Sequence, residues 1–341
     1  MKRAALVLGF GVAIAILGSP SSQTLRPDRN ENFLLAGVNI NTNLYCLVRP
    51  DFSLQNNPQD YGPWNRDLEW YESSDGLIFS KKGTFVERGG VPSLAKTTDG
   101  RLFAVFQWFP LSRKEAFDQV GFKISSNQGL SWTPPELIRL PDLPPQFFRV
   151  FDPTLVVLAG GGFRLYFSSE RISAQNSRGN RAIFSAISSD GINYQFEPGQ
   201  RFGFDDSETY DCAVGYLGGI WHLYCPVSNS EGWGYHATSA DGLNFDRQPD
   251  VFIAGQLDWL GNVLSTAKGL YFYGTGRPGS WAGFSTDGFN WTQLSDRTGL
   301  SGDPAVAIAG EYRYLAVGTG PLRPDAKTGP PVFTKKSIIK R

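Results

Sequence analysis

The sequence predicts an all-β chain folded as a five-bladed β-propeller of four-stranded blades, with six blades as the alternative count. Three observations predict it. The segment Ser73-Ser74-Asp75-Gly76-Leu77-Ile78-Phe79 returns at 125–132, 188–194, 239–245 and 285–291, with its Asp or Asn residues 52, 63, 51 and 46 residues apart. A self-similar unit at a period near 50 residues is the mark of propeller blades. Composition agrees: 39 Gly, 22 Pro, 14% aromatic residues and one Met in 341 suit short strands joined by many turns. Between successive copies, finally, the strand-like runs fall into groups of four.

The elements follow in order. Lys2 and Arg3 precede an apolar run over 4–17 and a small-residue stretch, Gly18-Ser19-Pro20-Ser21-Ser22. That run is shorter than the roughly 20 residues of a membrane span, so a secretory signal over 1–21, cut after Ser21, is expected. The mature protein would then be secreted or periplasmic, with no membrane attachment after cleavage. Residues 22–66 form an N-terminal segment rich in Asn, Pro and Asp, with two short strand-like runs at 33–40 and 44–48. The propeller is expected over 67–320 and a Pro- and Lys-rich tail over 321–341.

Each repeated segment reads as a turn between the third and fourth strands of a blade. Its Asp or Asn side chain can accept backbone N–H groups two residues on, and its Gly takes the left-handed position. The first unit has strands at 91–97, 101–109, 121–126 and 132–140; the second at 152–158, 163–168, 182–188 and 194–196. The third has 211–217, 220–225, 234–239 and a strand from Phe245; the fourth has 262–267, 270–273, 282–285 and 291–294. A fifth unit supplies only 303–308 and 312–317. Its missing partners stand at the other end of the chain, at 68–73 and 79–82, so strands from both termini close the ring and remove the open sheet edge.

Cys46, Cys212 and Cys225 are the three cysteines. A two-residue Gly218-Gly219 hairpin turn places Cys212 opposite Cys225, so a disulfide between them is expected and Cys46 is left over. Lys and Arg total 32, as do Asp and Glu. No basic field is available for nucleic acid or anionic lipid, and the chain is expected to act as a monomer. His222 and His236 fall inside expected strands, so neither a histidine metal site nor a Ser-His-Asp set is expected, and no cofactor is required. Ca²⁺ would suit an Asp-lined funnel, though no spacing demands it.

The unequal residues lie on the face opposite the repeated turns, where every long connection falls, and long loops on a rigid scaffold are where binding is expected.

The repeated segment resembles the Asp-box (BNR-like) turn, Ser-x-Asp-x-Gly-x-x-Trp, of sialidases and other secreted propellers. The copy at 125–132 keeps that spacing with Asn127 in the Asp position, and the other four are one residue shorter. There the turn is structural and lies away from the active site. Phe151-Asp152-Pro153-Thr154-Leu155, followed by Gly162-Phe163-Arg164-Leu165-Tyr166-Phe167, is similar to the inner-strand signature of five-bladed glycoside hydrolases of the arabinanase, β-xylosidase and fructan-hydrolase type. The resemblance implies carboxylates at the entrances of successive inner strands, acting as base, acid and pKa-tuning group. The aligned entrances here are Val91, Asp152, Asp211, Gly261-Asn262 and Asp303. Val91 departs from the pattern, standing where those enzymes usually carry their base.

Two carboxylates about 5–5.5 Å apart hydrolyse a glycoside with retention, and about 6.5–9.5 Å apart with inversion. Asp152 and Asp211 are the expected pair, Glu208 the candidate acid of raised pKa, and Asp303 a third member. Arg88, Arg149, Tyr210 and Arg277 are candidate substrate contacts. Trp108, Trp233, Trp259 and Trp281 fall in or beside the long loops and are candidates to stack on sugar rings. The sequence thus points to a secreted carbohydrate-active protein, a glycoside hydrolase first, with a non-catalytic glycan- or protein-binding propeller as alternative. A sialidase is the second alternative: Val91-Pro92-Ser93 aligns with its Arg-Ile-Pro segment, but Gly90 occupies the Arg position.

Overall fold

A computed structural model describes residues 62–331 except 148, 173–177, 228–230, 278 and 330. The expected signal peptide, the segment 22–61, Cys46 and residues 332–341 lie outside the described residues. Strands β1 (Arg66–Ser73) and β2 (Ser80–Val86) come first. Four consecutive sheets follow. The first blade holds β3 (Gly89–Lys96), β4 (Leu102–Trp108), β5 (Gln119–Ser125) and β6 (Glu136–Leu137). The second holds β7 (Phe151–Val157), β8 (Phe163–Ile172), β9 (Arg178–Ser188) and β10 (Gln195–Phe202). The third holds β11 (Ala213–Leu217), β12 (Ile220–Pro226), β13 (Trp233–Ser239) and β14 (Asp246–Phe252). In the fourth stand β15 (Leu257–Thr266), β16 (Gly269–Gly276), β17 (Trp281–Ser285) and β18 (Thr292–Ser295). The last pair, β19 (Gly302–Gly310) and β20 (Arg313–Leu322), joins β1 and β2 in one sheet of order β19-β20-β1-β2. The chain is therefore a five-bladed propeller of antiparallel four-stranded sheets, closed by strands from both ends. The six-blade alternative is not the count found among the described residues.

The repeated turns form as the residue types require. In the first copy Ser73 Oγ donates to Asp75 Oδ1 at 2.8 Å, and Asp75 Oδ1 accepts the N–H groups of Leu77 and Ile78 at 2.8 and 2.9 Å. Gly76 takes φ 74°, and its N–H reaches Ser73 Oγ at 3.0 Å. The copy at 125–132 does the same with Asn127, whose Oδ1 accepts Ser131 N–H at 3.0 Å. Each turn is also stapled to its neighbour where the preceding blade offers a tyrosine. The hydroxyls of Tyr166 on β8, Tyr224 on β12 and Tyr273 on β16 donate to the carbonyls of Gly242, Gly288 and Gly76 at 2.8, 2.7 and 2.9 Å.

The core lies between blades. Phe103, Phe163, Leu165, Phe184 and Tyr194 pack the first blade on the second, and Tyr224, Trp259, Phe272 and Trp281 pack the third on the fourth. Each fully buried side chain of this size contributes roughly 1.5–3 kcal/mol of transfer free energy. β6 is shorter than the 132–140 strand expected, because Pro134 and Pro135 have no N–H to give the ladder. The start of the tail is ordered on the ring. Arg323 pairs with Asp67 and Asp325, and Lys327 N–H reaches Asn65 Oδ1 at 3.2 Å.

Candidate active site

The site begins with a backbone irregularity repeated around the ring. Each inner strand opens on a residue with positive φ: Val91 (45°), Asp152 (48°), Asp211 (55°), Gly261 (152°) and Asp303 (46°). The ladder register slips at the same place in four blades, between Gly90 and Ser93, Phe151 and Thr154, Leu257 and Gly261, and Gly302 and Ala305. In the third blade pairing starts only at Ala213 with Tyr224. Such bulges re-aim a side chain, and a non-glycine residue in this region carries strain that persists only when its surroundings hold it. Here hydroxyls of the preceding blade do the holding. Asp211 N–H donates to Ser168 Oγ at 2.9 Å, Asp303 N–H to Thr275 Oγ1 at 2.9 Å, and Val91 N–H to Thr319 Oγ1 at 3.1 Å. Ser168 and Thr319 also hydrogen-bond the carboxylates of Asp152 and Asp303.

A cavity of about 700 Å³ opens at this ring, lined among others by Arg66, Val91, Gln107, Arg149, Asp152 and Asp303. Asp211 is buried beside Asp152. Burial pushes Asp152 up to about 6, with Asp303 adding to the rise while Arg149, Ser168 and Arg181 oppose it. Asp211 is pushed well above the ordinary carboxylate range by burial and by the charges of Asp152 and Asp303. Asp303 is raised by burial against the Thr319 hydroxyl and the Arg66 charge. Two carboxylates at one cavity, with a third buried and coupled to them, all resisting ionisation, are an arrangement from which acid and base roles are drawn. Among the described residues no group of three or more His, Cys, Asp or Glu side chains is placed to hold a metal ion.

The other expected site residues divide. Arg149 is at the cavity, ion-paired to Asp118, which also accepts Gln107 Nε2 at 2.7 Å. Glu208 stands away from the cavity wall, half exposed, accepting Arg181 N–H at 2.9 Å with the Arg181 guanidinium 3.7 Å away. That guanidinium also lies over the Tyr210 ring at 5.5 Å and contacts Glu170 at 3.2 Å. Arg88 is drawn into the ring closure, donating to the Trp64 carbonyl at 2.7 Å and pairing with Asp325. Arg277 is exposed and pairs with Glu231. Arg88, Arg149 and Arg277 are thus engaged with three separate acids. Trp233 is exposed, packed against the exposed Phe252 at 4.9 Å.

Three expectations need correction. Trp259 and Trp281 have no exposed surface and offer no ring face to a sugar. Their indole N–H groups are used inside, on the carbonyls of Gly232 and Asp258 at 3.1 and 2.9 Å. Trp108 is also buried, with the Arg113 guanidinium over its ring. The Cys212–Cys225 disulfide is not formed: both are free, buried thiols. The hairpin register is as expected, but left-handed Asp211 stops the ladder at Ala213, so Cys212 is not held opposite Cys225. Arg66, Gln107 and Asp118 were missed. Asp118 and Gln107 carry no local signal, and Arg66 falls in a segment that reads as preceding the propeller.

No family model and no curated protein matches this chain. Solved structures similar in chain path include the Bombyx mori GH32 β-fructofuranosidase BmSUC1, at 14% identity and TM-score 0.47, over 74% of this chain and 57% of that one. This chain thus spans little more than half the length of that enzyme. Others are a thermostable family-43 glycoside hydrolase (13%, TM-score 0.48, 72% and 96%) and the family 117 glycoside hydrolase Zg3597 of Zobellia galactanivorans (15%, TM-score 0.48, 82% and 96%).

Proposed function

We propose that the protein is a glycoside hydrolase acting through the funnel carboxylates. The reading rests on one observation: Asp152 and Asp303 face a common cavity from strained, equivalent positions, with Asp211 buried behind Asp152 and all three raised by burial. Asp152, held at about 6, is suited to protonate the leaving oxygen. Asp303, which Thr319 and Arg66 help to ionise, activates water or attacks the anomeric carbon. Burial and the charges of Asp152 and Asp303 raise Asp211 well above the ordinary carboxylate range, which disfavours a third negative charge at the funnel. The pair is therefore Asp152 with Asp303 rather than Asp152 with Asp211, and Glu208, outside the cavity wall, is not the acid. The charged, apolar and small-residue pattern of residues 1–22 supports export, and with it action on extracellular glycans; a mature chain starting at Ser22 is the expected product.

The test is turnover of a panel of nitrophenyl glycosides and plant and microbial polysaccharides by wild type, Asp152→Asn and Asp303→Asn. Each substitution is expected to lower kcat by about 10²–10⁴-fold. Absence of turnover by wild type across the panel sinks the hydrolase reading. Val91 at one ring position favours the second reading, a propeller that binds glycan without cleaving it. That reading predicts retained sugar binding with no product.

A further inference from the structure

Two of the five entrances, Val91 and Gly261, carry no carboxylate, and only the Val91 corner places a β-branched side chain at positive φ. At the fifth-to-first blade junction the entrance residue is Val91, with no carboxylate, while a guanidinium stands at the same cavity. Arg66 Nη1 donates to the Gly320 carbonyl at 2.9 Å, and Val91 N–H is bound to Thr319, the adjacent residue of β20. The Arg66 side chain and the Val91 backbone are thus anchored on consecutive residues of one strand. Arg149, the other arginine on the cavity wall, is ion-paired to buried Asp118. Among the described residues no carboxylate lies within ion-pair distance of Arg66, although its charge acts on Asp303, and it lines the same cavity as Val91.

Val91 is also the least comfortable occupant of its site. A β-branched residue at φ 45° is a true outlier, whereas Asp tolerates the left-handed region more readily. An Asp at this corner would relieve backbone strain and complete an ion pair with Arg66. Leaving the corner without an acid keeps the guanidinium available.

We propose that Arg66 is an oxyanion subsite, and that the glycan taken by this funnel carries a carboxylate or sulfate which occupies the corner left open by Val91. The proposal rests on the carbohydrate reading of the funnel, though not on cleavage. Guanidinium meets either oxyanion with two parallel N–H donors, a geometry the neutral hydroxyls of a sugar do not match in strength.

Calorimetric titration tests this with oligogalacturonates, aldouronate fragments and sulfated galactan fragments, each beside its carboxyl-reduced or desulfated counterpart. Wild type is expected to bind at least one acidic member roughly ten- to hundredfold more tightly than its neutral counterpart, the range of one charge-assisted hydrogen-bonding pair. The reduced and the desulfated arms tell a carboxylate from a sulfate. Arg66→Gln should abolish the preference and Arg66→Lys should keep part of it. Val91→Asp, which supplies the missing acid within the protein, should abolish it in a folded protein and so covers the case in which Arg66→Gln fails to fold. Equal affinity for acidic and neutral members, no binding of any acidic member, or a preference that survives Val91→Asp overturns the proposal. Acidic preference without cleavage leaves it standing and removes the hydrolase reading; cleavage of neutral glycosides alone does the reverse.

Discussion

Single residues at the ring trade stability for geometry. Val91 is held at φ 45° by one hydrogen bond to Thr319, and strain of this kind is worth about 1–3 kcal/mol. Glycine returns part of that through its own backbone entropy cost. Val91→Gly is therefore expected to stabilise the protein by about 1 kcal/mol, read as a higher denaturation midpoint at unchanged m-value. Arg149 acts on its neighbour through charge. It holds Asp152 down against burial, so Arg149→Met raises the Asp152 pKa above its value of about 6. If Asp152 must be protonated to act, activity falls as pH rises through that value. The alkaline limb of kcat/KM then shifts to higher pH in Arg149→Met, and a limb that stays in place removes Asp152 as the acid.

At the scale of elements, the repeated turn explains itself once its neighbours are seen. Ser and Asp satisfy the turn's own backbone, while the tyrosine of the preceding blade satisfies the outward Gly carbonyl. Tyr224→Phe strips the Gly288 carbonyl of its partner in a buried seam and should cost about 1–2 kcal/mol. Tyr216→Phe, at an exposed ring, is the control and should cost nothing measurable. Equal effects would mean the seam is held by ring packing alone. The turns were legible in the sequence because the bonds of their own Ser and Asp or Asn side chains are made within four residues. The truncation of β6 is legible too, in Pro134-Pro135, whose missing N–H groups override the strand-like pattern of 132–140.

In the whole molecule two sets of buried groups pull acid stability in opposite directions. Burial lowers His222 to about 4 and His236 to about 3 inside the stack with Tyr224, where the two rings are bonded to each other at 3.1 Å. Their folded values lie below the ordinary 6.5, so their contribution is full above pH 6.5 and is lost as pH falls through the folded values. Neither imidazole is expected to titrate between pH 8 and 5 when followed by NMR; a normal titration would show an open seam between the third and fourth blades. The funnel carboxylates do the reverse. Asp152 and Asp211 are raised, so their contribution is full below about 4 and lost as pH rises through the folded values. Asp211→Asn should accordingly raise the melting temperature at pH 7, because it removes a buried carboxyl whose ionisation the fold opposes.

What the sequence determined by itself was local and periodic. Five turns at a regular spacing set the blade count, and two orphan strands at each end implied the closure. The alignment of inner-strand starts put Val91, Asp152, Asp211 and Asp303 at equivalent positions, as the shared left-handed backbone bears out. Tertiary structure decided what depended on residues far apart in the chain. Trp259 and Trp281 are expected in or beside loops but lie on β15 and β17 in an inter-blade core, since a ring of blades buries its long strands along the seams. Glu208 precedes its strand closely, yet Arg181 holds it outside the cavity. Arg66 and Val91 are 25 residues apart in different blades and share one corner only because the last strand of the chain pairs with the first. Periodicity fixes a scaffold; which charges meet across its centre is set by closure, and closure is a property of the folded ring.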